Sequence, residues 1–175
     1  MSESRQLCIP YVAAIIERQA ADGELELLVQ TRFHKYGNLY YNGTLEFAAG
    51  TMDKLYEDVF TAVKREVREE TGLEVTRFID ESRTEPVTTK GEDLIFGFRP
   101  FCCTQQLREG KPWVGFVFRC EVSDGEPQAQ DGETKDVHWM RARDFYHIYK
   151  NHPEQIFGLE YPAWQYFFKS IGYEA

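Results

Sequence analysis

The sequence predicts a globular fold of class α/β. Three observations indicate it: two apolar strand-like segments near the N-terminus, an amphipathic helical pattern near the middle, and an aromatic helical region near the C-terminus. The length of 175 residues and the hydrophobic share of 42% suit a single domain over residues 1–175 with a buried core.

The first predicted element is a β-hairpin. Residues 8–16 and 25–30 are rich in aliphatic side chains, and residues 21–23 (Ala-Asp-Gly) favour a turn between them. The polar segment 34–42 predicts a loop whose tyrosines cover a neighbouring surface. Residues 44–47 predict a short strand that leads into Ala48, Ala49 and Gly50.

The central helix is predicted by its two ends and by its apolar face. Asp58 is a suitable N-cap, and Gly72 is a suitable residue just past the C-terminus. The apolar positions that fall on one helical face are Val59, Phe60, Val63 and Val67. This face is therefore expected to pack against the sheet.

The rest of the chain predicts further strands, one polar loop and two helices. The segments are strands at 73–79, 94–98, 114–121 and 137–140, a loop at 123–136, and helices at 143–150 and 162–171. The last helix carries several aromatic side chains: Trp164, Tyr166, Phe167 and Phe168. They predict core packing, and a homodimer surface is the alternative.

Composition limits the partners and the compartment. The net charge of −9 argues against binding to nucleic-acid polymers, but a small phosphorylated ligand is compatible with it when divalent cations are held on carboxylates. No apolar run is long enough to span a membrane. The absence of a secretory signal pattern, together with four cysteines that lack metal-site or disulfide spacing, predicts a cytoplasmic protein.

One edge of the central helix carries a dense group of acids. Glu66, Glu69 and Glu70 fall within about 100° of helical arc and would repel one another without compensation. Arg65 can partner one of them, and the remaining carboxylate oxygens suit Mg²⁺ or Mn²⁺. A solvated helix face is the alternative for a charge run of this kind.

The segment from Gly50 to Leu73 resembles the Nudix box. That motif is Gly, five residues, Glu, seven residues, and then Arg-Glu-U-x-Glu-Glu-x-Gly-U, where U is a bulky aliphatic residue. From Glu57 onward every fixed position of the motif is present, through Arg65 and the three glutamates to Gly72. The departure is that six residues, not five, separate Gly50 from Glu57.

The resemblance implies a Nudix α/β/α sandwich, with a mixed sheet between helices, that hydrolyses a nucleoside diphosphate linked to another group. In such a protein Glu66, Glu69 and Glu70 would be metal ligands for Mg²⁺ or Mn²⁺. Arg65 would orient them, and Glu57 would be an outer-shell ligand. Family members differ in the catalytic base. Within the box, the candidate for the base is Glu69. On the polar loop the candidates are Asp131, Glu133 and Asp136, and of these we favour Glu133.

The segment before the box is similar to the lead-in of the ADP-ribose and nucleotide-sugar pyrophosphatase branch. Glu46, Ala49 and Gly50 match its Glu-x-x-Ala-Gly pattern, so Glu46 is a further candidate metal ligand. Ala49, Gly50 and Tyr41 are candidates for substrate binding. Pro86 lies closer to the box than the proline of that branch. Cleavage of nucleoside triphosphates, nucleotide binding without hydrolysis, and a diphosphate isomerase using Cys102 or Cys103 are the alternatives.

Overall fold

The computed structural model describes residues 7–36, 39–108, 110–129, 132 and 134–173. The chain begins with four strands: β1 (Ile9–Gln19), β2 (Leu25–Arg32), β3 (Leu45–Glu46) and β4 (Ala48–Thr51). β1 and β2 pair antiparallel around the turn that contains Gly23, so the predicted hairpin is confirmed. The predicted lead-in to Gly50 is itself a strand, because β4 pairs antiparallel with β1.

Helix α1 (Val59–Thr71) begins and ends where the sequence predicts. Asp58 Oδ1 accepts hydrogen bonds from the backbone N–H groups of Phe60 and Thr61. Gly72 adopts a left-handed conformation with a φ of 73°, and its N–H donates to the Arg68 carbonyl. Both ends of the helix are therefore satisfied by local hydrogen bonds.

The remaining elements alternate between strands and helices. They are β5 (Val75–Ile79), β6 (Ser82–Arg83), β7 (Phe98–Arg99), β8 (Cys102–Gln105), β9 (Trp113–Val122), β10 (Thr134–Arg141), α2 (Ala142–Asn151), a short 3₁₀ helix (Pro153–Gln155) and α3 (Tyr161–Ser170). The predicted strands at 73–79 and 114–121 and both C-terminal helices are confirmed to within a few residues.

The predicted strand at 94–98 is wrong except at its last residue. Phe96 and Phe98 pack against the core that contains α1, but Leu94 and Ile95 are 71% and 54% exposed. Only an isolated bridge between Val87 and Ile95 forms there, followed by the two-residue strand β7. The run looked like a strand by composition alone.

The predicted boundary between the polar loop and the last strand is also wrong. β10 begins at Thr134, not at Val137, because a register shift between Lys135 and His138 lets polar residues join the strand. Asp136 lies in this irregular stretch with a φ of 52°. β8 was not predicted, since its sequence Cys-Cys-Thr-Gln is short and lacks strand-like alternation.

Eight of the strands form a mixed sheet with β1 at its centre, and β6 and β7 pair separately. The order is β10-β2-β1-β9-β5, and β3, β4 and β8 pair with β2, β1 and β9. β1 pairs in parallel with β9 along one side. Its other side pairs antiparallel with β4 near the start and with β2 near the end.

Alternate residues of β1 enter two hydrophobic cores, one on each face of the sheet. Val12, Ala14 and Ile16 pack in the core that contains the apolar face of α1. Tyr11, Ala13 and Ile15 pack in the core built with α2 and α3. The sheet therefore lies between helices, and the predicted α/β/α sandwich is confirmed.

The aromatic side chains of α3 pack as predicted for a core, with one exception. Trp164, Phe167 and Phe168 are buried, whereas Tyr166 is 59% exposed. The four cysteines are free thiols. In the ranges given above, none of the helices has the length and apolar character needed to cross a bilayer.

Candidate active site

A cavity of about 550 Å³ lies beside the polar edge of α1. Carboxylates from four parts of the chain line it, namely Glu66, Glu69 and Glu70 of α1, Glu46 of β3, Asp53 of the loop before α1, and Glu160 just before α3. Cationic and aromatic side chains complete the wall: Arg32, Arg65, Lys111, Tyr11, Trp113 and Phe157. The predicted acidic edge of the helix therefore faces a cavity, not open solvent.

Arg65 is the centre of the charge network in this cavity. Its Nε and Nη2 donate to the two carboxylate oxygens of Glu57 at 3.0 and 2.9 Å. Its Nη1 donates to Glu66 and, at 3.2 Å, to Glu69. Because the guanidinium is planar and always charged, this fork holds several carboxylates in one arrangement. The sequence predicted one such partner for Arg65, whereas the structure has three hydrogen-bonded carboxylates and a fourth, that of Asp53, at 3.8 Å.

Glu70 and Glu46 have partners of their own. Gln30 Nε2 and the backbone N–H of Ala49 both donate to Glu70 Oε2, at 2.7 and 3.0 Å. Arg32 Nη1 donates to Glu46 Oε2 at 2.8 Å. Ala49 thus contacts an acid of the box through its backbone, which fixes β4 against α1.

Gly50 lies directly against the Glu66 carboxylate. A Cβ atom at this position would stand 2.1 Å from Glu66 Cδ, so only glycine leaves room for the carboxylate. The extra residue between Gly50 and Glu57 falls in an exposed loop, where Tyr56 has a φ of 61° and is 96% exposed. The contact of Gly50 with Glu66 and the Arg65 pair with Glu57 are both present despite the longer loop.

The acids of the site have different electrostatic surroundings. Hydrogen bonds from Arg65 lower the pKa of Glu57 below its ordinary value. Burial raises the pKa of Glu66, although its contact with Arg65 opposes the rise. Glu160 is 1% exposed, and this burial raises its pKa well above the ordinary value. The negative charge of Glu46 raises the pKa further, whereas the hydrogen bond from the Phe47 N–H and the charge of Arg32 lower it. The cavity therefore concentrates negative charge at a cost that a bound cation would offset.

The donor set fits a hard divalent cation by its chemistry. Five glutamates line one cavity, and carboxylate oxygens are the ligands preferred by Mg²⁺ and Mn²⁺. In the part of the chain that the structure describes, no group of three acidic, histidine or cysteine side chains is arranged to hold a metal ion. Glu66 and Glu69 both accept hydrogen bonds from Arg65 Nη1 in this arrangement.

The other predicted site residues that the structure describes do not line this cavity. Glu57 holds Arg65 and is not among the residues that line the cavity. Tyr41 lines an adjoining cavity of about 970 Å³, which shares Arg32, Lys111 and Trp113 with the first. Asp131 and Glu133 lie outside the described residues.

The loop tyrosines do not cover a surface as the sequence predicted. Tyr36 and Tyr40 are 88% and 84% exposed. Tyr41 packs on a distant part of the chain, with its ring centroid 5.1 Å from that of Phe157. The prediction is confirmed for Tyr41.

Several residues of the site were not singled out from the sequence. Gln30 is a buried polar residue at the end of an apolar strand, and that position was a usable signal. Arg32 follows two positions later, beside Glu46. Glu160 gave no signal, because an acid before a helix is ordinarily an exposed N-terminal residue.

The sandwich and its arginine-centred acidic helix together define the class of the protein. The model of the NUDIX domain matches residues 10–158. The chain therefore belongs to the Nudix family.

The chain is also similar to individual proteins of known name or structure. It is 29% identical over 118 residues to Nudix hydrolase 10 of Arabidopsis thaliana, a match that covers 67% of this chain and 36% of that protein. The chain thus spans about a third of that relative's length. This identity and these coverages compare the two amino-acid sequences.

Two solved structures share the fold. The MutT protein of Methanosarcina mazei has a TM-score of 0.67 at 16% identity, covering 97% of this chain and 99% of that one. The NUDIX domain of Shewanella oneidensis NrtR, complexed with ADP ribose, has a TM-score of 0.65 at 13% identity, covering 98% and 93%. At these identities the likeness concerns the fold.

Proposed function

We propose that this protein is a metal-dependent hydrolase that cleaves the diphosphate of a nucleoside diphosphate linked to a second group. The observation that carries the proposal is the cavity lined by Glu66, Glu69 and Glu70, whose charge network is centred on Arg65. The match to the NUDIX domain model and the likeness to a Nudix hydrolase of Arabidopsis support it.

The cofactor of this reaction is Mg²⁺ or Mn²⁺. Glu66, Glu69 and Glu70 would hold it, with Glu46 as a further ligand and Glu57 acting through Arg65. When bound, the cation neutralises phosphoryl oxygens and lowers the pKa of a coordinated water. Arg65 would keep the carboxylates oriented, and Lys111 and Arg32 stand in the same cavity to meet the remaining phosphate charge.

A base that accepts the proton of the attacking water completes the machinery. Glu133 is our candidate, because it immediately precedes β10, whose first residue Thr134 lines the cavity. Asp131 is the neighbouring alternative on the loop, and Glu69 is the alternative within the box. Glu69 is the most exposed of the three box acids, with 46% of its side chain accessible.

The substrate class follows from the surroundings of the acids. We infer ADP-ribose or a nucleotide sugar, because Glu46 brings a further carboxylate to the diphosphate end while Trp113 and Tyr41 offer aromatic faces for a base in the adjoining cavity. The ADP-ribose complex of the related NrtR domain supports the same class. Neither nucleic-acid polymers nor membranes are expected partners, and a homodimer remains a prediction.

A hydrolysis screen tests the proposal. ADP-ribose, nucleotide sugars, dinucleotides, coenzyme A and the common nucleoside triphosphates are each incubated with the protein and Mg²⁺ or Mn²⁺, and the products are separated and identified. We expect two phosphate monoesters from ADP-ribose or a nucleotide sugar. Preference for a triphosphate would replace the substrate class, whereas binding with no hydrolysis of any compound would make the protein a nucleotide-binding domain.

A further inference from the structure

Gln30 is the polar member of the buried stretch of β2. It lies two residues after Leu28, so both side chains point to the face of the sheet that packs against α1. Gln30 is 1% exposed, and its Nε2 donates to Glu70 Oε2 at 2.7 Å. The amide therefore reaches the acidic edge of α1 from behind, without being one of the residues that line the cavity.

The burial of this amide costs stability that the fold does not require. Gln30 Oε1 is buried and accepts no hydrogen bond from the described residues. A buried polar atom that has lost its water without gaining a partner is destabilising, whereas leucine or methionine at this position would carry no such cost. Residues that break the packing rules in this way are expected at functional sites. The presence of Gln30 is therefore best explained by what its donor does.

The donor acts on one oxygen of a proposed metal ligand. Glu70 Oε2 also accepts a hydrogen bond from the Ala49 N–H at 3.0 Å, so donors from two strands meet at this atom. Glu70 is 6% exposed and lines the cavity. Hydrogen-bonding partners behind a carboxylate ligand fix its orientation, which prepares it for the metal ion.

The Gln30 amide differs in charge from the donor that serves the other two box acids. Glu66 and Glu69 accept hydrogen bonds from the cation Arg65. A guanidinium offsets part of the charge of a carboxylate that it contacts. The side-chain amide of Gln30 is uncharged, so its hydrogen bond holds Glu70 Oε2 without cancelling the negative charge that attracts a cation.

We propose that Gln30 is a positioning residue of the metal site, whose amide fixes the Glu70 carboxylate as a ligand for a divalent cation and leaves the charge of that carboxylate in place. This rests on the proposed function, since it takes Glu70 as a ligand for Mg²⁺ or Mn²⁺. Gln30 acts through Glu70 and touches neither the cation nor the substrate.

The variant Gln30→Met tests this role by removing the donor while keeping an unbranched side chain. Because a buried amide is replaced by an apolar group, the melting temperature without metal should stay within a few degrees of the wild type or rise. Binding of Mn²⁺ alone is measured well below that temperature, without substrate, from the paramagnetic resonance signal of the unbound ion. We expect the Kd for Mn²⁺ to rise roughly 10- to 100-fold, the usual effect of losing a partner of a metal ligand.

Gln165→Met is the matched control, because it makes the same exchange at an exposed position of α3 that lines neither cavity. Its Kd for Mn²⁺ should equal that of the wild type. If Gln30→Met does not fold, Gln30→Asn takes its place, since its amide is one methylene further from Glu70.

The outcomes separate this inference from the proposed function. An unchanged Kd for Mn²⁺ in a folded Gln30 variant would overturn the inference alone, and a lower melting temperature beside it would assign the contact with Glu70 to folding only. An equal rise of the Kd in Gln165→Met would also overturn it. A wild-type protein that neither binds Mn²⁺ nor is activated by it would overturn the proposed function, and this inference with it.

Discussion

At the scale of single residues, the site depends on Arg65 and on the shape left by Gly50. Arg65 is buried, with 9% of its side chain accessible, and it contacts Glu57, Glu66 and Glu69. Removing one partner of such a buried network leaves the others uncompensated. Lysine could not replace Arg65, because a single ammonium lacks the fork that reaches both Glu57 and the box acids.

Glu69 gives the cleanest test of metal binding by a single residue. Glu70 also accepts bonds from Gln30 and Ala49, so its replacement would disturb β4, whereas Glu69 is half-exposed and accepts a hydrogen bond from Arg65. We expect Glu69→Gln to keep the wild-type melting temperature within a few degrees and to lower Mg²⁺-dependent turnover by roughly 100-fold or more. Steady-state kinetics with a titration of Mg²⁺ measures this loss.

The control for this prediction is Glu74→Gln, which removes one exposed carboxylate just beyond α1. It should leave turnover unchanged. Near wild-type activity of Glu69→Gln at saturating Mg²⁺ would show that Glu69 is neither a ligand nor a base.

Gly50→Ala is expected to affect activity more than stability. The new Cβ would collide with the end of the Glu66 side chain, which can rotate, and not with rigid backbone. The Glu66 carboxylate would then shift by about an ångström, a misplacement that costs up to roughly 100-fold in rate. kcat and the melting temperature are measured for this variant and for Gly97→Ala, whose Cβ would meet nothing nearer than 3.6 Å. Equal kcat for both variants would contradict the prediction.

At the scale of elements, α1 depends on its N-cap. Asp58 accepts from the N–H groups of Phe60 and Thr61 and from the Thr61 hydroxyl at 2.6 Å. We expect Asp58→Ala to lower the free energy of unfolding by about 1 kcal/mol, the usual cost of losing an N-cap. Asp58→Asn keeps an acceptor and should retain most of that stability. Urea unfolding of both variants makes the comparison, and equal losses would assign the effect to charge and not to capping.

Elements with a local chemical signal were the ones the sequence predicted well. The cap of α1, the glycine that ends it and the turn of the first hairpin each follow from neighbouring residues. The strand predicted at residues 94–98 failed because a strand needs a backbone partner along its length, and here pairing is limited to one bridge at Ile95 and to β6 at Phe98. β10 failed at its start for a related reason, since pairing with β2 extends it through polar residues.

At the scale of the whole molecule, the acidic face of α1 was predictable and its surroundings were not. Helical spacing placed Glu66, Glu69 and Glu70 together because four residues make about one turn. Glu160 reaches the same cavity from the far end of the chain, and only the packing of α3 against the sheet brings it there. Contacts of that kind depend on topology, which no short segment of the sequence encodes.

The parallel pairing of β1 with β9 sets the order in which the chain can assemble. The Glu17 pair with Arg119, which closes this pairing, joins residues 102 positions apart. At typical rates of synthesis, about 5 to 20 s pass between the emergence of two such segments. During that interval β2 and β4 can occupy one side of β1, and its other edge has no partner until β9 has been made, so that edge is where a newly synthesised chain is open to pairing with another chain.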